Sequence, residues 1–177
     1  MSTTSKIRLA TVWLDGCSGC HMSLLDTDER LVDLAQRAAV VWGPLVDAKE
    51  FPPDVDVTLV EGAISSEEDL HRIRLVRSRT KILISLGDCA VTGNVPAMRN
   101  HFGPDAVLRR AYLENATLDP QLPREIVPQL LPIVRPVHEA VPVDIFVPGC
   151  PPSADLIFSV LTDLLDGKAP VTAAKFG

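Results

Sequence analysis

Five short apolar runs constrain this chain more than any other feature: Ile7 to Leu14, Ala38 to Trp42, Val55 to Val60, Lys81 to Leu86 and Asp144 to Val147. They are continuous rather than alternating, which predicts strands buried on both faces, as in a parallel sheet. Helical stretches fall between them. One covers Ser23 to Ala38. A second starts near Ser65 or Ser66, where Ser65-Ser66-Glu67-Glu68 resembles a capping box, and runs to about Arg79. A third spans Val95 to Glu114 with a break at Gly103-Pro104. The last covers Ser153 to Asp166, with Leu156, Ile157, Val160, Leu161, Leu164 and Leu165 on one face and Gly167 as its stop. Strand and helix in alternation predict an α/β fold, a doubly wound parallel sheet of about five strands in three layers. Five strands suit the flavodoxin-like order 2-1-3-4-5, and residues 1–177 read as one domain.

One stretch departs from this pattern. Residues 115–143 contain six prolines, Pro120, Pro123, Pro128, Pro132, Pro136 and Pro142. Proline at that density predicts neither a long helix nor a central strand. The expectation is a proline-rich excursion before the last strand, either a plain surface loop or a partner contact. Leu130, Leu131 and Val134 have no obvious place in the sheet.

Composition narrows the function. The net charge of −6 over 177 residues argues against nucleic acid, which needs a basic face. No apolar run reaches the ~18 residues of a membrane span. The N-terminal MSTTSKIRLATVWLDG has neither a signal-peptide layout nor a twin-arginine pair, so a cytoplasmic location is expected. Four cysteines in a reducing compartment are then metal ligands, catalytic groups or core thiols rather than disulfides.

Their placement is more telling. Cys17 and Cys20 follow the first predicted strand, Cys89 the fourth in SLGDCAVTG, and Cys150 the fifth in FVPGCPP. All four therefore fall just past the carboxyl ends of strands, where open α/β sheets bind ligands. Gly16, Gly19, Gly87, Gly93 and Gly149 crowd the same loops and allow main-chain N–H groups to approach a cluster's sulfurs. Pro148, Pro151 and Pro152 stiffen the loop around Cys150. Four thiolates fully ligate one [4Fe–4S] cubane and leave none over. A four-cysteine zinc site uses the same thiolates, although only Cys17 and Cys20 form a pair of the usual kind. A redox Cys-x-x-Cys leaves Cys89 and Cys150 unexplained. A flavin-binding module suits the layout, but the loop after the first strand carries two cysteines where a phosphate cradle would be.

WLDGCSGCHMSLLD, SLGDCAVTGNVPAMRN and VPGCPPS together resemble the small subunit of [NiFe] hydrogenases, within the superfamily that includes the 20-kDa subunit of complex I. The likeness is strongest to the NAD-reducing, soluble, bidirectional type and runs from residue 7 to about 165. It implies that Cys17, Cys20, Cys89 and Cys150 hold one proximal [4Fe–4S] cluster. It also implies a hydrogenase large subunit carrying the Ni–Fe centre. Diaphorase subunits with FMN and further iron–sulfur clusters would then reduce NAD. No catalytic Ni–Fe site is expected in this chain. The chain ends at Gly177 without the extra cysteine-rich region of larger small subunits, which fits the one-cluster cytoplasmic type. Complex I relatives have two adjacent cysteines where this chain has Cys17-Ser18-Gly19-Cys20. A small subunit of a deazaflavin- or sulfur-reducing hydrogenase is the alternative.

Five further residues carry expectations. Glu61 ends the third strand beside the rim and is the candidate proton relay or large-subunit contact, against a plain surface or capping carboxylate. His21 is expected to hydrogen-bond near a helix N-terminus rather than to bind iron. Trp13 is expected in the core. Asp88 and Arg99 are expected near a subunit interface.

Overall fold

In the computed structural model, residues 6–172 are described. The readings of the N-terminal leader and of the end at Gly177 lie at least partly outside that range. Seven strands occur among the described residues: β1 (Ile7–Trp13), β2 (Ala38–Trp42), β3 (Val55–Glu61), β4 (Ile64–Ser66), β5 (Thr80–Leu86), β6 (Leu130–Arg135) and β7 (Ile145–Val147). Five of them form a parallel sheet in the order β2-β1-β3-β5-β7. Counting only its own strands, that sheet has the expected order 2-1-3-4-5.

Both faces of the sheet are covered, which is why the strands read as unbroken apolar runs. Leu9, Val57, Leu59, Ile84 and Leu86 face one layer of helices, α1 (Gly19–Leu25), α2 (Arg30–Arg37) and, at the chain's end, the long helix Ala154–Leu165. Ala10, Val12, Val60 and Leu83 face the other, which holds α3 (Glu67–Ser78) and α4 (Asp88–Thr92). Beyond α4 the chain continues as α5 (Asn94–Ala97), a 3₁₀ turn, α6 (Gly103–Arg109) and a π-helical turn, and then, after β7, as α7 (Ala154–Leu165). Three layers result.

Several expectations need correction. The helix expected over Ser23 to Ala38 is two helices. Asp28 takes a left-handed conformation at φ 51°, and Thr27 turns its hydroxyl back onto the Leu24 carbonyl at 2.8 Å. Local side-chain bonding of this kind competes with helix propagation. Ala38 is already in β2. The helix expected over Val95 to Glu114 is a series of short pieces, with Gly103 at φ 77° marking the expected break. The capping box at the start of α3 is present with a different third residue. Ser66 accepts from Asp69 N at 3.1 Å and Asp69 accepts from Ser66 N at 2.9 Å.

The proline-rich excursion also holds more structure than expected. Its Leu130–Arg135 segment is β6, which pairs antiparallel with β4 to form a second, two-stranded sheet. The pairing tolerates Pro132 because a two-stranded ribbon consists only of edges. Val134 and Val137 are buried within this chain, so the apolar residues of the stretch are not all left for a partner. Leu118, Ile126, Val127 and Ile133 remain exposed.

Candidate metal centre

The carboxyl ends of β1, β3, β5 and β7 form one rim. Cys17 lies in the turn after β1 and Cys20 in the first turn of α1. Cys89 is in α4, which follows β5, and Cys150 is in the loop after β7. Topology thus brings together residues up to 133 positions apart in sequence. All four thiols are free; Cys20 is buried, Cys89 half-buried, and Cys17 and Cys150 exposed.

The thiols influence one another. Burial is the largest effect on Cys20 and pushes its thiol far above the ordinary range. The Glu61 carboxylate and the other three thiols push it further in the same direction. Cys89 is pushed up to about 11, again chiefly by burial, with Cys150, Cys17, Glu61 and Asp15 adding to it. A group that binds thiolates and carries positive charge relieves this cost.

The loops are shaped around the sulfurs. Gly87, at φ 81°, stands where an added Cβ would come within 2.2 Å of Cys20 Sγ, so only glycine leaves that sulfur its place. The Asn94 amide donates to Cys150 Sγ at 3.6 Å. Asp88 braces two cysteine loops, since its Oδ1 accepts from Gly149 N at 2.7 Å and its own N–H donates to Gly149 O at 2.9 Å. The donor set is soft thiolate with N–H donors beside it, and this chemistry fits an iron–sulfur cluster. Among the described residues, no three His, Cys, Asp or Glu side chains form a group that would hold a single metal ion.

Glu61 closes β3 and is buried at 2% exposure. Its Oε2 accepts the main-chain N–H of His21 at 2.7 Å and meets His21 Nδ1 at 2.5 Å. His21 thus bonds at the start of α1, as expected, although its partner is a carboxylate 40 residues away in sequence. Its Nε2 is buried without a partner. Trp13 is not in the core. It is 44% exposed, donates to Gly16 O at 3.3 Å and borders a groove of about 550 Å³ walled by Leu9, Met22, Leu25, Leu34 and Val40. Arg99 points inward, donating to Ser65 O and Leu131 O at 2.9 and 3.0 Å, and so ties β4 to β6. Asn94 and the His21–Glu61 pair were not legible as partners in the sequence. The only hints were that Asn94 and His21 lie inside the cysteine motifs and that Glu61 ends a strand at the same rim.

The family described as "NADH ubiquinone oxidoreductase, 20 Kd subunit" matches residues 17–164. The chain is 43% identical to the NAD-reducing hydrogenase HoxS subunit delta of Cupriavidus necator, over 92% of this chain and 80% of that one. It is 36% identical to a subunit of the F420-non-reducing hydrogenase of Methanocaldococcus jannaschii, over 97% of this chain but only 60% of the relative's length. The fold superposes on a chain of the crystal structure of an NAD+-reducing [NiFe]-hydrogenase in the H2-reduced state, with a TM-score of 0.92 and 39% identity. That match covers 96% of this chain and 99% of the other. A [NiFeSe]-hydrogenase chain of Dm. baculatum, at 19% identity and a TM-score of 0.62, shares the fold. With cysteine motifs, strand order and relatives in agreement, the chain belongs to the 20-kDa-subunit family of NADH:ubiquinone oxidoreductase, in the part of it formed by [NiFe]-hydrogenase small subunits.

Proposed function

We propose that this chain is the electron-transfer small subunit of a cytoplasmic [NiFe] hydrogenase. It would pass electrons between the Ni–Fe site of a large subunit and diaphorase subunits that reduce NAD. The observation that carries the reading is the meeting of Cys17, Cys20, Cys89 and Cys150 on one sheet rim, in a chain 43% identical to a HoxS delta subunit. When bound, a [4Fe–4S] cluster supplies one-electron uptake and release.

The chain's own residues have distinct parts in this reading. The four thiolates are the ligands. Gly87 leaves room for Cys20 Sγ, and Asn94 hydrogen-bonds Cys150 Sγ. Asp88 locks the Cys89 loop to the Cys150 loop. A cubane's ligands sit on four separate irons and stand wider apart than ligands of one zinc ion. Only Cys17 and Cys20 form the pair usual in structural zinc sites, whereas four thiolates complete one cubane, and this favours the cluster. We propose one cluster and no flavin in this chain, with FMN and further clusters in the partners. Among the described residues, no helix is long and apolar enough to cross a membrane.

Purification of the native assembly tests the reading. Visible absorption with about four irons and four sulfides for this chain supports it, as does hydrogen-driven NAD reduction. One tightly bound FMN in the hydrogenase dimer stripped of diaphorase subunits would overturn the one-cluster, flavin-free part. Reduction of a deazaflavin or of sulfur in place of NAD would favour the alternative assembly.

A further inference from the structure

Glu61 stands at the end of β3, the strand between β1 and β5, whose loops carry Cys17, Cys20 and Cys89. At 2% exposure it is among the largest fully buried side chains of the chain. Among the described residues its ion-pair partner is His21; no lysine or arginine pairs with it. The main-chain donor to its Oε2 belongs to the residue that follows Cys20. Glu61 therefore grips the first turn of α1 next to a ligand, and leaves a carboxylate buried beside the rim. Gly16 shapes the other side of this pocket, where an added Cβ would come within 3.5 Å of Glu61 Oε1.

We propose that Glu61, held by His21, is a positioning residue for the cluster with two effects: it fixes the Cys20 thiolate by clamping α1, and its charge lowers the cluster's reduction potential. This inference rests on the reading of the rim as an iron–sulfur site. Coulomb interaction is strong in a poorly screened interior, so a carboxylate there opposes addition of an electron nearby. Glu61 Oε2 lies 2.7 Å from the main-chain N of His21, the residue after Cys20, which places the carboxylate beside that ligand. The role differs from the proton relay expected from sequence.

The test uses the purified hydrogenase assembly, with iron counted per complex and the reduced cluster titrated by electron paramagnetic resonance. Glu61→Gln keeps an oxygen to accept from His21 and removes the charge. Full iron content with a positively shifted midpoint potential is expected. Glu61→Asp keeps the charge but shortens the reach to His21. A potential near native with faster iron loss to a chelator is expected. A Gln variant that loads normally with an unshifted potential overturns the charge effect, as does one that takes up no iron. An Asp variant that retains iron as the native protein does overturns the clamp. Native assembly without iron in this chain sinks the cluster reading itself, and neither Glu61 outcome mimics that result.

Discussion

The Nδ1 of His21 lies 2.5 Å from Oε2 of Glu61, the oxygen that also takes the His21 main-chain N–H at 2.7 Å. One buried carboxylate oxygen thus meets both the main-chain N–H and the ring of a single residue. Replacing His21 by Ala leaves the main-chain donor and strips the other, so Glu61 becomes a buried charge with half its partners. The expected cost is about 1–3 kcal/mol. Thermal unfolding of the assembly should show it as a Tm lower by about 2–4 °C per kcal/mol at this chain length. An unchanged Tm would mean that the imidazole is not part of the clamp.

The four-thiolate ligand set predicts that Cys17→Ser, Cys20→Ser, Cys89→Ser and Cys150→Ser each damage the cluster and sharply reduce hydrogen-driven NAD reduction. Serine oxygen is a harder and poorer ligand for iron. Iron and sulfide counts on each variant check this directly. Full iron and full activity in Cys150→Ser would refute the assignment, since Cys150 is the exposed member furthest along the chain.

Gly87 and Gly103 both have positive φ, 81° and 77°. Gly87 combines it with ψ 161°, a region essentially closed to side chains, and only there would an added methyl meet Cys20 Sγ, at 2.2 Å. Gly87→Ala should lose iron occupancy and cost more stability than Gly103→Ala, which meets nothing within 4 Å. Gly103→Ala should carry only the backbone cost, about 1–2 kcal/mol. Equal iron contents in the two variants would show that space around Cys20 does not govern loading.

The proline-rich stretch should divide into two parts by hydrogen exchange. β6 is paired with β4, and Val134 and Val137 are buried in this chain, so residues 130–137 should be protected in the isolated subunit and the assembly alike. Residues 116–129, which expose Leu118, Ile126 and Val127, should slow only when the large subunit is bound. Fast exchange of 116–129 in both states would remove this segment from the interface.

Asp56 links acid stability to the far end of the sheet. Burial opposes its ionisation, but the Arg8 N–H at 2.8 Å and the Lys81 ammonium at 2.7 Å outweigh it and hold its carboxyl below the usual range. A depressed folded-state pKa stabilises the fold above the unfolded value of about 3.9, and that stability is lost as pH falls through the folded value. Asp56→Asn should therefore cost up to about 1 kcal/mol at pH 7 and flatten the decline in stability below about pH 4. Denaturant titrations at pH 7 and pH 3 compare the two proteins, and an identical decline in both would exclude Asp56 as a source.

Much of the architecture was legible in the sequence. The unbroken apolar runs follow from burial on two faces, a constraint every parallel strand carries in its own residues. They located all five strands of the main sheet to within about a residue or two. Strand order and the convergence of Cys17, Cys20, Cys89 and Cys150 on one rim followed from that pattern, because connections in such sheets obey narrow rules. Other features belong to the tertiary structure alone. The Asp28 turn splits a helix that looked continuous, because a single left-handed residue leaves no periodic signal. β4 and β6 are short and polar or proline-bearing, and each is a strand only because the other is beside it. Trp13 looks like a core residue by type, yet stands at the edge of a groove. Glu61 and His21 are 40 positions apart, and nothing in either segment encodes the other. Their pairing exists because β1 and β3 are neighbours, which places the end of one strand against the helix that follows the other.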